Sequence, residues 1–177
     1  AEPLLFVSDQ CVDYARSTTL FEVASLRDLN ARLGDTSVAR RGGRVGLAGA
    51  AYIPASLLDR VRLALGSAIL EPTMALAEVK AVKSDAEVAL MRKAAALTDD
   101  AMEAIRLVLA DGEPHSECEL AHAADRAMLA GGAERTGYDS MVQAGPRSAF
   151  NLARPTDRIV AMGDLVMTDI GARFGGY

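Results

Sequence analysis

A change of rhythm near residue 80 limits what this chain can fold into more than any other feature of its sequence. Before about residue 73, short apolar runs alternate with helical patterns. LLFV is followed by a helix around VASLRDLNARL, then by RVGLAGA, a helix over ASLLDRVRLAL, and AILEPT. That βαβαβ order predicts an α/β layer. From Ser84 the pattern turns strongly helical. Ser84 and Glu87 have the spacing of a capping box, in which each side chain satisfies a free amide of the other residue. Val88, Met91, Ala95, Met102, Ile105 and Leu109 then recur at helical spacing, predicting one helix to about Ala110 that ends at Asp111-Gly112. A second box, Ser116 and Glu119, opens a helix with Leu120, Ala124, Ala127 and Met128 on its inner face, closed by Gly131-Gly132. Beyond it, MVQAG, DRIV and LVMTDIGA read as antiparallel strands separated by Gly145-Pro146, Arg154-Pro155 and Gly163-Asp164. The fold class expected is α+β, with one domain over residues 1–79 and another over 80–177.

Bulk properties narrow the function. Half of the 177 residues are apolar, enough to bury a core without disulfides or metal. The net charge is −5 and the basic residues are scattered, so no footprint for a phosphate backbone exists and nucleic acid is not an expected partner. Cys11 and Cys118 have neither metal-knuckle spacing nor the density of a secreted scaffold, which predicts a reducing, cytoplasmic setting. No basic leader and no run of about 18 apolar residues is present, so no membrane partner is expected. LLFV opens the chain as a strand with no element before it, and we expect the sequence to start within a domain. Arg40-Arg41-Gly42-Gly43 reads as a basic loop, because Gly46 and Gly49 do not complete a dinucleotide fingerprint.

Among residues able to carry chemistry, Asp169 comes first. It lies in an apolar strand and shares a face with Leu165 and Met167. A buried carboxylate must be paired with a cation, be hydrogen-bonded or bind a metal; the strand pattern alone favours a partner such as Arg158 or Arg173, or an edge position, over a metal. His115 and His122 are too far apart in sequence for the i, i+4 zinc arrangement. His115 is expected in solvent, and His122 in a surface ion pair with Glu119 or Asp125. Cys118 lies in a first helical turn, where the helix dipole would lower its pKa, but it has no histidine partner for nucleophilic work. Ser140 and Ser148 sit in no nucleophile elbow. The seven methionines are read as core filling.

Residues 80–177 resemble the start of the pita-bread domain shared by creatinase, prolidase, aminopeptidase P and methionine aminopeptidase. The resemblance rests on Val82-Lys83-Ser84-Asp85-Ala86-Glu87 leading into Leu90-Met91-Arg92-Lys93-Ala94-Ala95, then on Ser140-Met141-Val142-Gln143-Ala144-Gly145 and Arg154-Pro155-Thr156-Asp157-Arg158. The most specific string is Gly163-Asp164-Leu165-Val166-Met167-Thr168-Asp169-Ile170-Gly171-Ala172. Residues 1–79 look like the later part of a creatinase-type amino-terminal domain, by pattern only.

The resemblance implies that Asp169 is the first ligand of a centre holding two divalent metal ions (Mn, Co or Zn), whose other ligands would follow Tyr177. On that reading the chain by itself binds no metal tightly. Relatives carry a substrate-binding, proton-shuttling histidine where this chain has Leu152, beside Asn151. Neither side chain transfers protons near neutral pH, which puts Xaa-Pro peptidase activity in question. The function implied is that of a metal-dependent hydrolase cleaving a small peptide or amide with a metal-bound hydroxide, in a homodimer. Two alternatives stand beside it: a creatinase-like or ectoine-hydrolase-like enzyme acting on a small nitrogenous metabolite, and a non-catalytic pita-bread binding module.

Overall fold

The structure, a computed structural model, describes residues 3–150 and 152–177. It divides into two compact units, one ending at Val82 and one spanning Lys83–Tyr177, just beyond the boundary expected after residue 79.

In the first unit, β1 (Leu4–Val7) leads through α1 (Val12–Thr18) to β2 (Glu22–Ser25), and the two strands pair in parallel from Leu4 opposite Glu22 to Val7 opposite Ser25. The helices α2 (Leu29–Gly34) and α3 (Ser37–Arg41) follow. β3 (Arg44–Leu47), α4 (Ala55–Leu65) and β4 (Ile69–Pro72) make a second parallel pair, and α5 (Ala75–Ala81) ends the unit. Parallel strands joined through helices are the α/β layer that the alternating runs predict. Ala15, Val23, Ala24, Leu29 and Leu65 are its buried apolar residues.

The helix over ASLLDRVRLAL forms as α4, whereas the one expected around VASLRDLNARL is divided. Val23 and Ala24 bury in β2, and the Ser25 hydroxyl accepts from the Arg27 amide to start a 3-10 turn, so the helix begins only at Leu29. Arg40 and Arg41 form the last turn of α3 instead of a loop.

The second unit opens with α6 (Asp85–Leu109) and α7 (Glu117–Ala130). Both capping boxes are present in full: each serine hydroxyl accepts from the N3 amide while the N3 glutamate accepts from the serine amide. Satisfying otherwise unpaired amides fixes where each helix starts.

The buried face of α6 is Ala94, Leu97, Ala101 and Ile105, while Met91, Met102 and Leu109 of the expected face are exposed. Small residues explain this rotation. Ala101 of α6 joins Ala121 and Ala124 of α7 in one core cluster, which allows close helix approach and leaves the longer methionines at the margin. At Gly131 a Cβ atom would lie 2.5 Å from Leu97 Cδ2, so even a methyl group is crowded there.

β5 (Arg135–Thr136), β6 (Met141–Ala144), β7 (Val166–Asp169) and β8 (Ala172–Arg173) complete the unit. β6 pairs antiparallel with β7, Met141 opposite Asp169, and β5 pairs antiparallel with β8. Val142 of β6 enters the core beside Leu120 and Met128. DRIV forms no strand of its own. Its backbone is taken up at the start of α7, where the Glu117 amide donates to the Arg158 carbonyl at 3.0 Å and the Val160 amide to the His115 carbonyl at 2.9 Å. The architecture is thus α+β: parallel pairs with helices, then helices packed on antiparallel strands.

Candidate functional site

Asp169 ends β7, half-buried. The partner expected for it was an arginine, and the structure places both arginines elsewhere. Arg158 pairs with Asp164 at 2.7 Å, and Arg173 lies 3.6 Å from Glu134. The hydroxyl of Tyr138 donates instead to Asp169 Oδ1 at 2.5 Å. That bond, with burial added, pushes the Tyr138 phenol up to about 12. The ring packs close over Gly171, where a Cβ would come within 3.2 Å of Tyr138 Cε1. Tyr138 escaped the sequence reading because nothing in the spacing links it to a strand 31 residues away.

Among the described residues, no group of three or more histidine, cysteine, aspartate or glutamate side chains is placed to hold a metal ion. Asp169 therefore offers one carboxylate, and these residues do not by themselves fit a two-metal centre.

Leu152 sits at the tip of a loop that leaves β6 at Gly145 and returns to α7 near Thr156. Its φ is +56°, the one positive value at a non-glycine residue among those described, and it is 75% exposed. A left-handed leucine is strained and persists only where its surroundings impose it. The neighbouring Asn151 lies outside the described residues. The loop's departure is equally constrained: Gly145 has φ +56°, and a Cβ there would stand 2.6 Å from both Arg158 Nη2 and Asp164 Oδ1.

Both ends of the loop are bonded to Glu117, a residue that the sequence reading passed over. It is fully buried at the first position of α7. Its Oε1 accepts from the Ala144 amide at 2.8 Å, and its Oε2 from the Thr156 amide at 3.0 Å and the Thr156 hydroxyl at 2.8 Å. Arg147 Nε donates to the same carboxylate at 3.0 Å, and Arg147 Nη2 to the Arg154 carbonyl at 2.8 Å. Burial pushes the Glu117 carboxyl up, but these donors outweigh it and hold the group below the usual glutamate range. Gln143, also fully buried, donates to the Ala153 carbonyl at 2.5 Å, while its Oε1 has no partner among the described residues.

The other candidates are displaced from their expected settings. His115 is not in open solvent: its side chain is 19% exposed, with Nε2 2.9 Å from both Asp111 oxygens. His122 is exposed, and no ion pair joins it among the described residues. Glu119 is engaged by Ser116, and Asp125 accepts from Ser140 at 2.5 Å. The Cys118 thiol is pushed up rather than down, first by burial and then by Asp157, Glu117 and Glu119. Cys118, His122, Asp125, Ser140, Arg154 and Pro155 face a cavity of about 280 Å³.

Two helices packed on antiparallel strand pairs, with an aspartate ending β7, have the arrangement of a partial pita-bread domain. The solved X-Pro aminopeptidase from Thermotoga maritima superposes with a TM-score of 0.78 at 22% identity, covering 97% of this chain and 47% of that one. Prolidase from Pyrococcus furiosus gives 0.80 at 21% identity, covering 97% of this chain and 52% of that one. An uncharacterised peptidase of Bacillus subtilis is 31% identical over 100 residues, and a Xaa-Pro dipeptidase of Pyrococcus horikoshii 30%. Each of these alignments takes in 56% of this chain and 28% of the relative, so the chain spans only part of the curated proteins it matches. Metallopeptidase family M24 matches residues 89–177, and the chain belongs to that family.

Proposed function

We propose that the protein carrying this sequence is a metal-dependent hydrolase that cleaves Xaa-Pro dipeptides or similar small amides. The observation that carries this reading is the family match over the whole second unit beyond Val88, which contains Asp169 at the end of β7. Divalent metal ions supply the hydrolytic chemistry in such enzymes. Toward them this chain contributes Asp169, with Oδ1 steadied by Tyr138, and the 145–156 loop on the substrate side. A homodimer, a cytoplasmic location and a peptide substrate belong to the same proposal. Among the described residues, no helix is long and apolar enough to cross a membrane.

Leu152 favours a second reading within the enzyme class. A leucine at the loop tip binds through apolar contact and moves no proton, which suits a creatinase-like or ectoine-hydrolase-like reaction on a small nitrogenous metabolite. Replacing it decides between the two. If proton transfer at this position limits peptidase chemistry, Leu152→His should raise turnover of Gly-Pro or Ala-Pro by about 10²–10⁴-fold, the usual worth of general acid–base help. A variant with no gain would favour the metabolite substrate.

A further inference from the structure

We propose that Glu117 is the positioning residue of the 145–156 loop, clamping its two limbs so that residue 152 is presented to substrate in one fixed backbone state. This rests on the proposed hydrolase reading, because it assigns the loop to the substrate side.

The bonding pattern separates a clamp from ordinary packing. One limb is held through Ala144 and Arg147, the other through Thr156, and all three donate to the same fully buried carboxylate. A second layer repeats the link: Arg147 reaches the Arg154 carbonyl and Gln143 reaches the Ala153 carbonyl. The α7 backbone adds a third, with the Cys118 amide donating to the Thr156 carbonyl at 3.1 Å.

Both limbs are therefore tied at their bases, and the strain appears where they meet, as the positive φ of Leu152. A loop left to itself would relax that residue into the β or right-handed region, which costs nothing for leucine. Holding the loop in advance lowers the entropy lost when substrate binds, and it is substrate affinity that such preorganisation improves. Glu117 is fully buried beneath the loop's two ends. Its effect passes through the loop.

The test compares wild type with Glu117→Gln, which keeps the shape but replaces two acceptor oxygens with one acceptor and one donor. Thr156→Val, which leaves the buried carboxylate paired with Arg147, is the second variant in case Glu117→Gln does not fold. Amide exchange is followed by mass spectrometry, and Ala-Pro hydrolysis is measured in the protein carrying this sequence. Thr156→Val loses one bond to a charged group, which predicts about tenfold faster exchange within residues 144–156, with α6 unchanged, and KM raised about tenfold at constant kcat; Glu117→Gln takes the acceptor from at least two donors and should do at least as much. Unchanged loop exchange in a folded variant overturns the clamp. So does faster exchange throughout the second unit with KM unmoved, since that marks a stabilising role alone. If wild type itself hydrolyses no dipeptide, the Xaa-Pro reading fails, and loop exchange still decides the clamp.

Discussion

At the residue scale, two carboxylates, Asp169 and Glu117, are each held by donors from distant parts of the chain. Asp169 was visible because an acidic residue interrupts an apolar strand, yet its partner was assigned by charge and turned out to be a phenol. Glu117 was hidden for the opposite reason. An acidic residue in the first turn of a helix is what the dipole favours, so its sequence position looked ordinary. Only the return of the chain, with donors 27 and 39 residues away, reveals the buried hub. Its titration should be measurable. The folded carboxyl lies below the ordinary glutamate value of about 4.3, so the stability it confers is complete above that pH and is lost as pH falls through the folded value. Arg147 donates directly to the group and Arg158 adds positive charge nearby, both favouring the ionised form. Urea midpoints of Glu117→Gln should be lower than those of wild type near pH 7, and the gap should close on acidification. A gap independent of pH would show that charge is not what these donors recognise.

At the element scale, helix starts were legible and helix faces less so. A capping box is a local signal whose partners sit three residues apart, and both boxes form as their spacing requires. Which side of α6 faces inward depends on what packs against it. Counting methionines as core rotated the face, because the close approach of α7 selects alanines. Short strands were the least readable elements. The two-residue β5 carries almost no periodicity, and DRIV has a strand's composition but gives its backbone to the start of α7. The helix contact can be tested at Gly131. Gly131→Ala should destabilise by about 1–3 kcal/mol through overpacking against buried Leu97, despite alanine's better helix propensity. In a Leu97→Ala background, chemical denaturation should find that penalty gone. Equal costs in both backgrounds would mean that the crowding is relieved elsewhere.

For the molecule as a whole, the α/β then α+β plan and the M24 family were both recoverable from sequence, because rhythm and ordered motifs extend over many residues. A metal centre is a different matter, since its ligands come from distant segments brought together only by the fold. With Asp169 the one candidate among the described residues, the 177-residue chain is expected to bind Mn²⁺ or Co²⁺ weakly. Calorimetric titration checks this, and submicromolar binding of two ions per chain would contradict it. The buried Glu117 also has a consequence for the order of folding. The α6–α7 pair closes over a short connection and can form early, whereas the Glu117 bonds join segments 27 to 39 residues apart and pay loop-closure entropy first. Until Ala144 and Thr156 arrive, burying that carboxylate costs free energy with nothing to offset it. The loop that carries Leu152 is then the last part of the second unit to take its final form, and slow refolding should be felt there before anywhere else.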